Sequence, residues 1–161
     1  MGMDVYGRNP ENEKGEYFRN NVWYWRPLWM YVEITFPEIA KLVPNAYYND
    51  GDGLGKKHSV MLAKKIKANI KSGQVKQYEK EYTEAIESLP MEDCEYCSTT
   101  GQRTWEANSS NNPTSEPIQK VCNACDGLGK TKSFAASYPF SEENVIEFAE
   151  FLLYSGGFRI C

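Results

Sequence analysis

Histidine is almost absent from the sequence, since His58 is the only one in 161 residues. Nucleophilic catalysis usually needs a cysteine or serine activated by an adjacent base, and one histidine supports no conventional Cys–His pair. No apolar run approaches the roughly 20 residues of a membrane-spanning helix, and no stretch resembles a secretory signal peptide. These absences favour a non-enzymatic protein, which we expect to be soluble, cytoplasmic and free of the membrane.

An excess of positive charge is also lacking. The chain has 18 Lys and Arg against 22 Asp and Glu, which gives a formal net charge of −4 at pH 7. Binding to DNA or RNA without sequence preference depends on neutralising phosphates, so the balance argues against nucleic acid. Aromatic residues are abundant, with 11 tyrosines and 4 tryptophans. A core of this size needs fewer, so we expect some on a surface, where an apolar ring with a polar tip is useful.

Four of the 5 cysteines form two CxxC pairs. The first pair is Cys94 and Cys97, and the second is Cys122 and Cys125. Each CxxC turn presents two sulfurs from one bend, and two such turns supply the four thiolates of a tetrahedral zinc site. Four protein ligands leave no position for water, which is typical of a structural zinc rather than a catalytic one. Disulfides are disfavoured by the paired spacing.

The second pair continues into the pattern CxxCxGxG, from Cys122 through Gly127 to Gly129. This pattern resembles the cysteine-rich repeats of DnaJ-type co-chaperones. The first pair departs from it, because Thr99 replaces the first glycine and only Gly101 matches. The resemblance implies a zinc knuckle. It does not imply co-chaperone activity, since the chain has two repeats rather than four and lacks the His-Pro-Asp loop of that family.

The predicted fold class is α+β. We expect a mainly helical body formed by residues 1–90 and 134–161, with a zinc-ribbon-like β-hairpin finger inserted at residues 91–133. Residues 102–107 and 117–121 are the predicted strands of the finger, and the polar residues 108–115 join them.

Hydrophobic periodicity and the positions of Pro and Gly predict the helices of the body. They are expected at about 27–36, from Pro37 to Val43, at 59–72, at 75–88, and after an N-cap at Ser141. Helices 59–72 and 75–88 are expected to form an antiparallel hairpin, with the apolar positions of helix 75–88 buried. Residues 22–25 are predicted to form either a strand or a helical turn capped by Asn20-Asn21.

The segment from Tyr17 to Trp29 is the predicted contact surface. If it is helical, Arg19, Trp23 and Arg26 share one face and form a cation–π surface. The plainer interpretation is that the tryptophans are core and that the arginines pair with acidic residues such as Asp50 and Asp52. Cys161 is expected to be a small buried side chain, and the alternative is a reactive thiol.

Whole-chain likeness points to small uncharacterised bacterial and bacteriophage proteins, through residues 17–23, Glu143-Asn144-Val145 and 155–158. It implies a bacterial or phage origin, and that group offers no established activity to carry over. Our leading hypothesis is a zinc-containing protein that binds a protein partner. The first alternative is an enzyme or binder of a small nucleotide-like ligand, with the arginines holding an anion, Trp23 or Trp25 stacking on a base, and Asp50 or Asp52 acting as a base or metal ligand. The second is a zinc ribbon that binds nucleic acid through a lysine-rich helix.

Overall fold

The computed structural model describes residues 2–105 and 118–161. Its helices are α1 Val22–Thr35, α2 Pro37–Ala40, α3 Lys56–Lys71, α4 Gln74–Glu87 and α5 Glu142–Tyr154. Its strands are β1 Gly2–Gly7, β2 Tyr17–Asn21, β3 Glu92–Asp93, β4 Gln102–Trp105, β5 Ile118–Val121, β6 Lys130–Thr131 and β7 Phe158–Ile160. Two short 3₁₀ turns, Glu13–Gly15 and Phe134–Ser137, complete the list. The fold is therefore mixed helix and strand, as the sequence predicts.

The chain divides into two compact units. The first comprises Met1–Ile86 and Ser137–Cys161, and the second comprises Glu87–Ala136. Among the described residues, no helix combines the length and the apolar character that crossing a membrane requires.

A three-stranded antiparallel sheet of order β2-β1-β7 forms one side of the first unit. Residues alternate between its faces, because successive side chains of a strand point in opposite directions. Phe18 and Phe158 point inward, and the Phe18 ring lies 5.3 Å from that of Phe148 in α5. Gly2–Gly7 thus form the central strand of the sheet, and Phe158–Ile160 pair with it as β7.

Helix α1 begins five residues before Pro27, earlier than the predicted start. Asn21 is its N-cap, with Oδ1 accepting a hydrogen bond from the Tyr24 amide at 3.1 Å. This settles the open choice at residues 22–25 in favour of helix. Proline fits the first turn of a helix best, since it lacks an amide donor. Here Pro27 is buried in the second turn, so its position did not mark the start of the helix.

Helices α3 and α5 form the main helical pair of the first unit. The apolar positions of α3 are fully buried at Leu62, Ala63 and Ile66. Ser141 caps α5, as predicted, by accepting a hydrogen bond from the Asn144 amide. The prediction that α3 and α4 pack together as a hairpin is therefore wrong, since α3 packs mainly along α5.

Helix α4 packs on the first unit from Val75 to Tyr82, and its last turn is more exposed. Val75 is its one fully buried residue, and Tyr78 and Tyr82 are half-buried against Phe140. Ala85 and Leu89 are exposed, although their spacing predicts burial. Periodicity defines the apolar face of a helix, but not how far a neighbouring element extends along it.

The second unit contains two small antiparallel pairs, β3 with β6 and β4 with β5. In the β4–β5 pair, Gln102 lies opposite Val121 and Arg103 lies opposite Lys120. The predicted strands extended to residues 107 and 117, and those ends, like the predicted loop 108–115, lie outside the described residues.

Candidate metal centre

Two copies of the same turn form the centre of the second unit. They span residues 94–101 and 122–129, and Cys94 and Cys122 are 28 positions apart. The carbonyl of Cys94 accepts from the Thr99 amide at 3.3 Å, and the carbonyl of Cys122 accepts from the Gly127 amide at 3.2 Å. Both turns thus use the same internal hydrogen bond, although their sequences differ at most positions.

The two turns also exchange backbone hydrogen bonds in a reciprocal way. The Cys94 amide donates to the carbonyl of Gly129, and the Cys122 amide donates to the carbonyl of Gly101, each at 2.9 Å. Each turn therefore fixes the first cysteine of the other. The result is a local two-fold arrangement that places the two CxxC pairs face to face.

Left-handed backbone at matching positions shapes both turns. Ser98 and Asp126 have φ of 48° and 49°, and Thr99 and Gly127 have φ of 65° and 81°. A left-handed conformation costs an ordinary residue about 1–2 kcal/mol. Thr99 therefore adopts the backbone of the glycine it replaces, which is why the first turn keeps the knuckle shape without that glycine.

The last glycine of each turn is required for a different reason: the backbone of the other turn comes too close to leave room for a side chain. A Cβ at Gly101 would lie 2.2 Å from the carbonyl oxygen of Gly127, and a Cβ at Gly129 would lie 2.2 Å from that of Thr99. These distances are too short for any side chain. The glycines shared by both turns are therefore the ones that let the two backbones touch.

The four sulfurs are buried and close together. The Sγ atoms of Cys94 and Cys122 are 3.9 Å apart, those of Cys97 and Cys125 are 3.7 Å apart, and all four lie within 4.8 Å of one another. Zinc–sulfur bonds of about 2.3 Å imply about 3.8 Å between the sulfurs of a regular tetrahedron. The spacing thus fits a four-thiolate metal site. It is also much too long for a disulfide bond, whose S–S distance is about 2.05 Å.

Hydrogen bonds to the Cys122 sulfur favour the thiolate form that a metal needs. Burial raises the pKa of Cys122, but hydrogen bonds from the backbone of Ala124 and from Cys125 outweigh it and lower the pKa to about 7. Burial and a hydrogen bond with Cys97 raise the pKa of Cys94. The Gly129 amide donates to Sγ of Cys125 at 3.3 Å. Hydrogen bonds to the ligand atoms orient the metal ligands and tune their basicity.

Cys161, the fifth cysteine, is exposed, so its predicted burial is wrong. Its amide donates to the carbonyl of Asp4 at 2.8 Å, which aligns it with β1 at the end of the sheet. It takes no part in the sulfur cluster. Among the described residues, these four cysteines are the only group of three or more His, Cys, Asp or Glu side chains close enough together to hold a metal ion.

The predicted contact surface is only partly assembled. Arg19 lies on β2 and Arg26 lies on α1, so they do not share a helix face. Trp25 is fully buried and donates from Nε1 to the carbonyl of Ala46 at 2.7 Å, which makes it a core residue rather than an exposed contact. Trp23 and Arg26 remain on the outer side of α1.

Tyr138 completes this surface, and sequence reasoning did not find it. Its ring centroid lies 4.9 Å from that of Trp23 and 5.8 Å from the guanidinium carbon of Arg26. Positions 23 and 26 are neighbours on a helix, so one ring contacts both. Tyr138 is distant in sequence and lies outside any periodic pattern, so no local signal indicated it.

Asp50 and Asp52 accept hydrogen bonds from backbone amides within the glycine-rich turn 49–55 and next to it. Asp52 accepts from the amides of Asn45 and Gly53, at 2.9 and 2.8 Å, and Asp50 accepts from the Asp52 amide at 3.1 Å. Among the described residues, neither aspartate forms an ion pair with Arg19 or Arg26. The predicted pairing of the aspartates with the arginines is therefore wrong.

No protein-family model, no curated protein and no solved structure matches the chain. The architecture and the sulfur cluster are therefore the basis for assigning a role.

Proposed function

We propose that the chain is a non-enzymatic zinc-containing protein that binds a protein partner, with the metal serving as a structural element of the second unit. The observation that carries the proposal is the set of four buried sulfurs at the spacing of a tetrahedral site. Cys94, Cys97, Cys122 and Cys125 would hold the ion. Four thiolates would saturate it, so that no position is left for a substrate or a reactive water.

The surface formed by Trp23, Arg26 and Tyr138 supports the binding role. Tryptophan, tyrosine and arginine are the residue types that dominate the energetic centres of protein interfaces. Trp23 keeps 37% of its surface exposed. Arg26 is exposed above the Tyr138 ring, where a cation–π contact holds it in place without neutralising it.

The two alternatives have less support. A nucleotide-like ligand could stack on the exposed Trp23 but not on Trp25, which is core. Asp50 and Asp52, its candidate base or metal ligands, accept hydrogen bonds from backbone amides. On α3, Lys56 and Lys65 pair with Glu11 and Glu38, at 2.8 and 3.2 Å. These pairs reduce the positive charge that the lysine-rich helix offers to nucleic acid.

Elemental analysis of protein purified without added metal, combined with capture of partners from the native host, tests the proposal. We expect one zinc per chain and a stoichiometric protein partner. Arg26→Ala should lose that partner with an unchanged melting temperature, whereas Lys64→Ala, an exposed substitution on α3, should retain it. Absence of zinc would contradict the metal site. A co-purified nucleotide or metabolite instead of a protein would contradict the binding role.

A further inference from the structure

The outer face of the β2-β1-β7 sheet is the most unusual surface of the first unit. Strand alternation sends Met3, Val5 and Ile160 into the core. The opposite face carries two tyrosines, two arginines and one aspartate, namely Asp4, Tyr6, Tyr17, Arg19 and Arg159. Except for the half-buried Asp4, these side chains are exposed. Tyrosine and arginine are also the residues that protein interfaces favour.

The strand register arranges these side chains in two rows across the sheet. Tyr6 lies opposite Tyr17 on one side and Arg159 on the other, while Asp4 lies opposite Arg19. The rings of Tyr6 and Tyr17 are 4.9 Å apart. The tyrosines therefore form a continuous apolar centre, with one arginine on each of the two outer strands.

The charges on this face are not balanced internally. Among the described residues of this face, Asp4 has the only side-chain carboxylate, and it accepts a hydrogen bond from the Tyr17 hydroxyl. That hydrogen bond also raises the pKa of Tyr17. Among the described residues, Arg19 and Arg159 form no hydrogen bond or ion pair through their side chains. Two unpaired guanidinium groups are notable in a protein with an excess of acidic residues.

We propose that this outer sheet face docks an acidic, extended segment of a partner protein. Neighbouring strands are about 4.8 Å apart, and two residues along a strand span about 7 Å, so the backbones at Arg19 and Arg159 are about 12 Å apart. An extended peptide covers a similar length in four residues, and side chains four residues apart point to the same side. Two carboxylates at positions i and i+4 therefore match the two arginines, with the intervening residues over the tyrosine pair.

Charge complementarity favours a peptide over a nucleic acid. Two cations neutralise few phosphates, and affinity for nucleic acid increases with the number neutralised. Arginine, in contrast, binds carboxylates through two parallel hydrogen bonds. This face is separate from the Trp23, Arg26 and Tyr138 surface, and the proposal does not depend on that surface or on the metal.

Fluorescence anisotropy with a short labelled peptide of alternating glutamate and threonine tests the proposal on the full chain. We expect saturable binding that weakens as salt is added. The double variant Arg19→Gln with Arg159→Gln should lose about tenfold or more of the affinity, since each charged hydrogen-bonded contact contributes on the order of a tenfold change. Lys64→Gln with Lys67→Gln removes two positive charges from the exposed side of α3 and is the matched control, for which affinity should be unchanged.

A lysine–threonine peptide and a labelled oligothymidylate complete the design. Neither should compete with the acidic peptide. The proposal is overturned if the acidic peptide does not bind, if the Lys64→Gln with Lys67→Gln variant loses as much affinity as the double arginine variant, or if oligothymidylate binds this face more tightly than the peptide. Circular dichroism of each variant shows whether the fold is kept, and Tyr6→Ser, which removes one ring of the apolar centre, provides a second substitution that should also weaken peptide binding.

Discussion

Trp25 and Trp29 stack in the core of the first unit with their ring centroids 5.6 Å apart, yet only one of them has a partner for its indole N–H. Trp25 donates to the carbonyl of Ala46 at 2.7 Å. Nε1 of Trp29 is buried, and the described residues offer it no acceptor. The two rings lie one helical turn apart on α1 and are both inaccessible to solvent. They therefore provide a natural comparison of a satisfied and an unsatisfied buried donor.

Replacing each tryptophan by phenylalanine should separate these two situations. Trp25→Phe removes a hydrogen bond and leaves the Ala46 carbonyl without its donor, which costs about 1–3 kcal/mol in addition to the lost packing. Trp29→Phe loses a similar volume but also removes a buried donor that had no partner. We expect Trp25→Phe to lower the free energy of unfolding by about 1 kcal/mol more than Trp29→Phe does. Urea unfolding of both variants measures the difference, and equal losses would contradict the assignment.

The glycines of the second turn allow a similar comparison. Gly127 and Gly129 both have left-handed φ, 81° and 71°, so alanine is strained at either position. At Gly129 the new Cβ would also lie 2.2 Å from the Thr99 carbonyl oxygen, whereas at Gly127 the nearest atom is a side-chain methyl of Val121 at 3.1 Å. We expect Gly127→Ala to cost about 1 kcal/mol and Gly129→Ala to separate the two turns and weaken metal binding much further.

Competition with a chromophoric chelator would give the metal affinity of each variant. The ordering is the critical result. If Gly127→Ala releases metal as readily as Gly129→Ala, backbone strain rather than the approach of the two turns sets the stability of the site.

A substitution at Thr99 should change the stability of the second unit in the opposite direction. It has a φ of 65° where the matching turn has glycine, so Thr99→Gly should relieve strain and stabilise the second unit by up to about 1 kcal/mol. Thr100 is the control, because its hydroxyl donates to the carbonyl of Cys97 at 2.6 Å and its φ is not left-handed. Thr100→Gly should destabilise by about 1 kcal/mol. Thermal unfolding of the metal-loaded variants distinguishes the two, and a loss of stability in both would contradict the role of strain.

Local signals in the sequence predicted the features that depend on local chemistry. The CxxC spacing identified four cysteines that the fold brings together, and the cap at Ser141 and the end of α3 at Gly73 follow from the hydrogen-bonding and conformational preferences of those residues. The predicted start of α1 at Pro27 is wrong, because the proline lies in the second turn of the helix. A proline in the second turn costs an interior hydrogen bond, which packing of the buried ring and its neighbours offsets.

Features that depend on contacts distant in sequence could not be predicted in this way. Tyr138 reaches Trp23 and Arg26 only because the chain returns after the second unit. The sheet that separates Arg19 from Arg26 requires β1, β2 and β7 to pair, and β7 is more than 130 residues from the other two strands. The reciprocal hydrogen bonds of the two turns are similarly invisible in either turn alone.

Removal of a single thiolate is the most direct prediction for the candidate metal centre. Cys122→Ser leaves three sulfurs around a buried site, and an alcohol is a poor ligand for zinc beside thiolates. We expect zinc to fall from one per chain to near zero. Residues 92–105 and 118–131 should then lose their ordered structure, since binding of a structural metal supplies folding free energy.

Cys161→Ser removes the exposed thiol and is the matched control, which should retain the metal. Elemental analysis gives the stoichiometry, and circular dichroism should show that the helical signal of α1, α3 and α5 persists. Full zinc retention in Cys122→Ser would disprove the four-thiolate site, whereas loss of all helical signal would show that the first unit depends on the second for its folding.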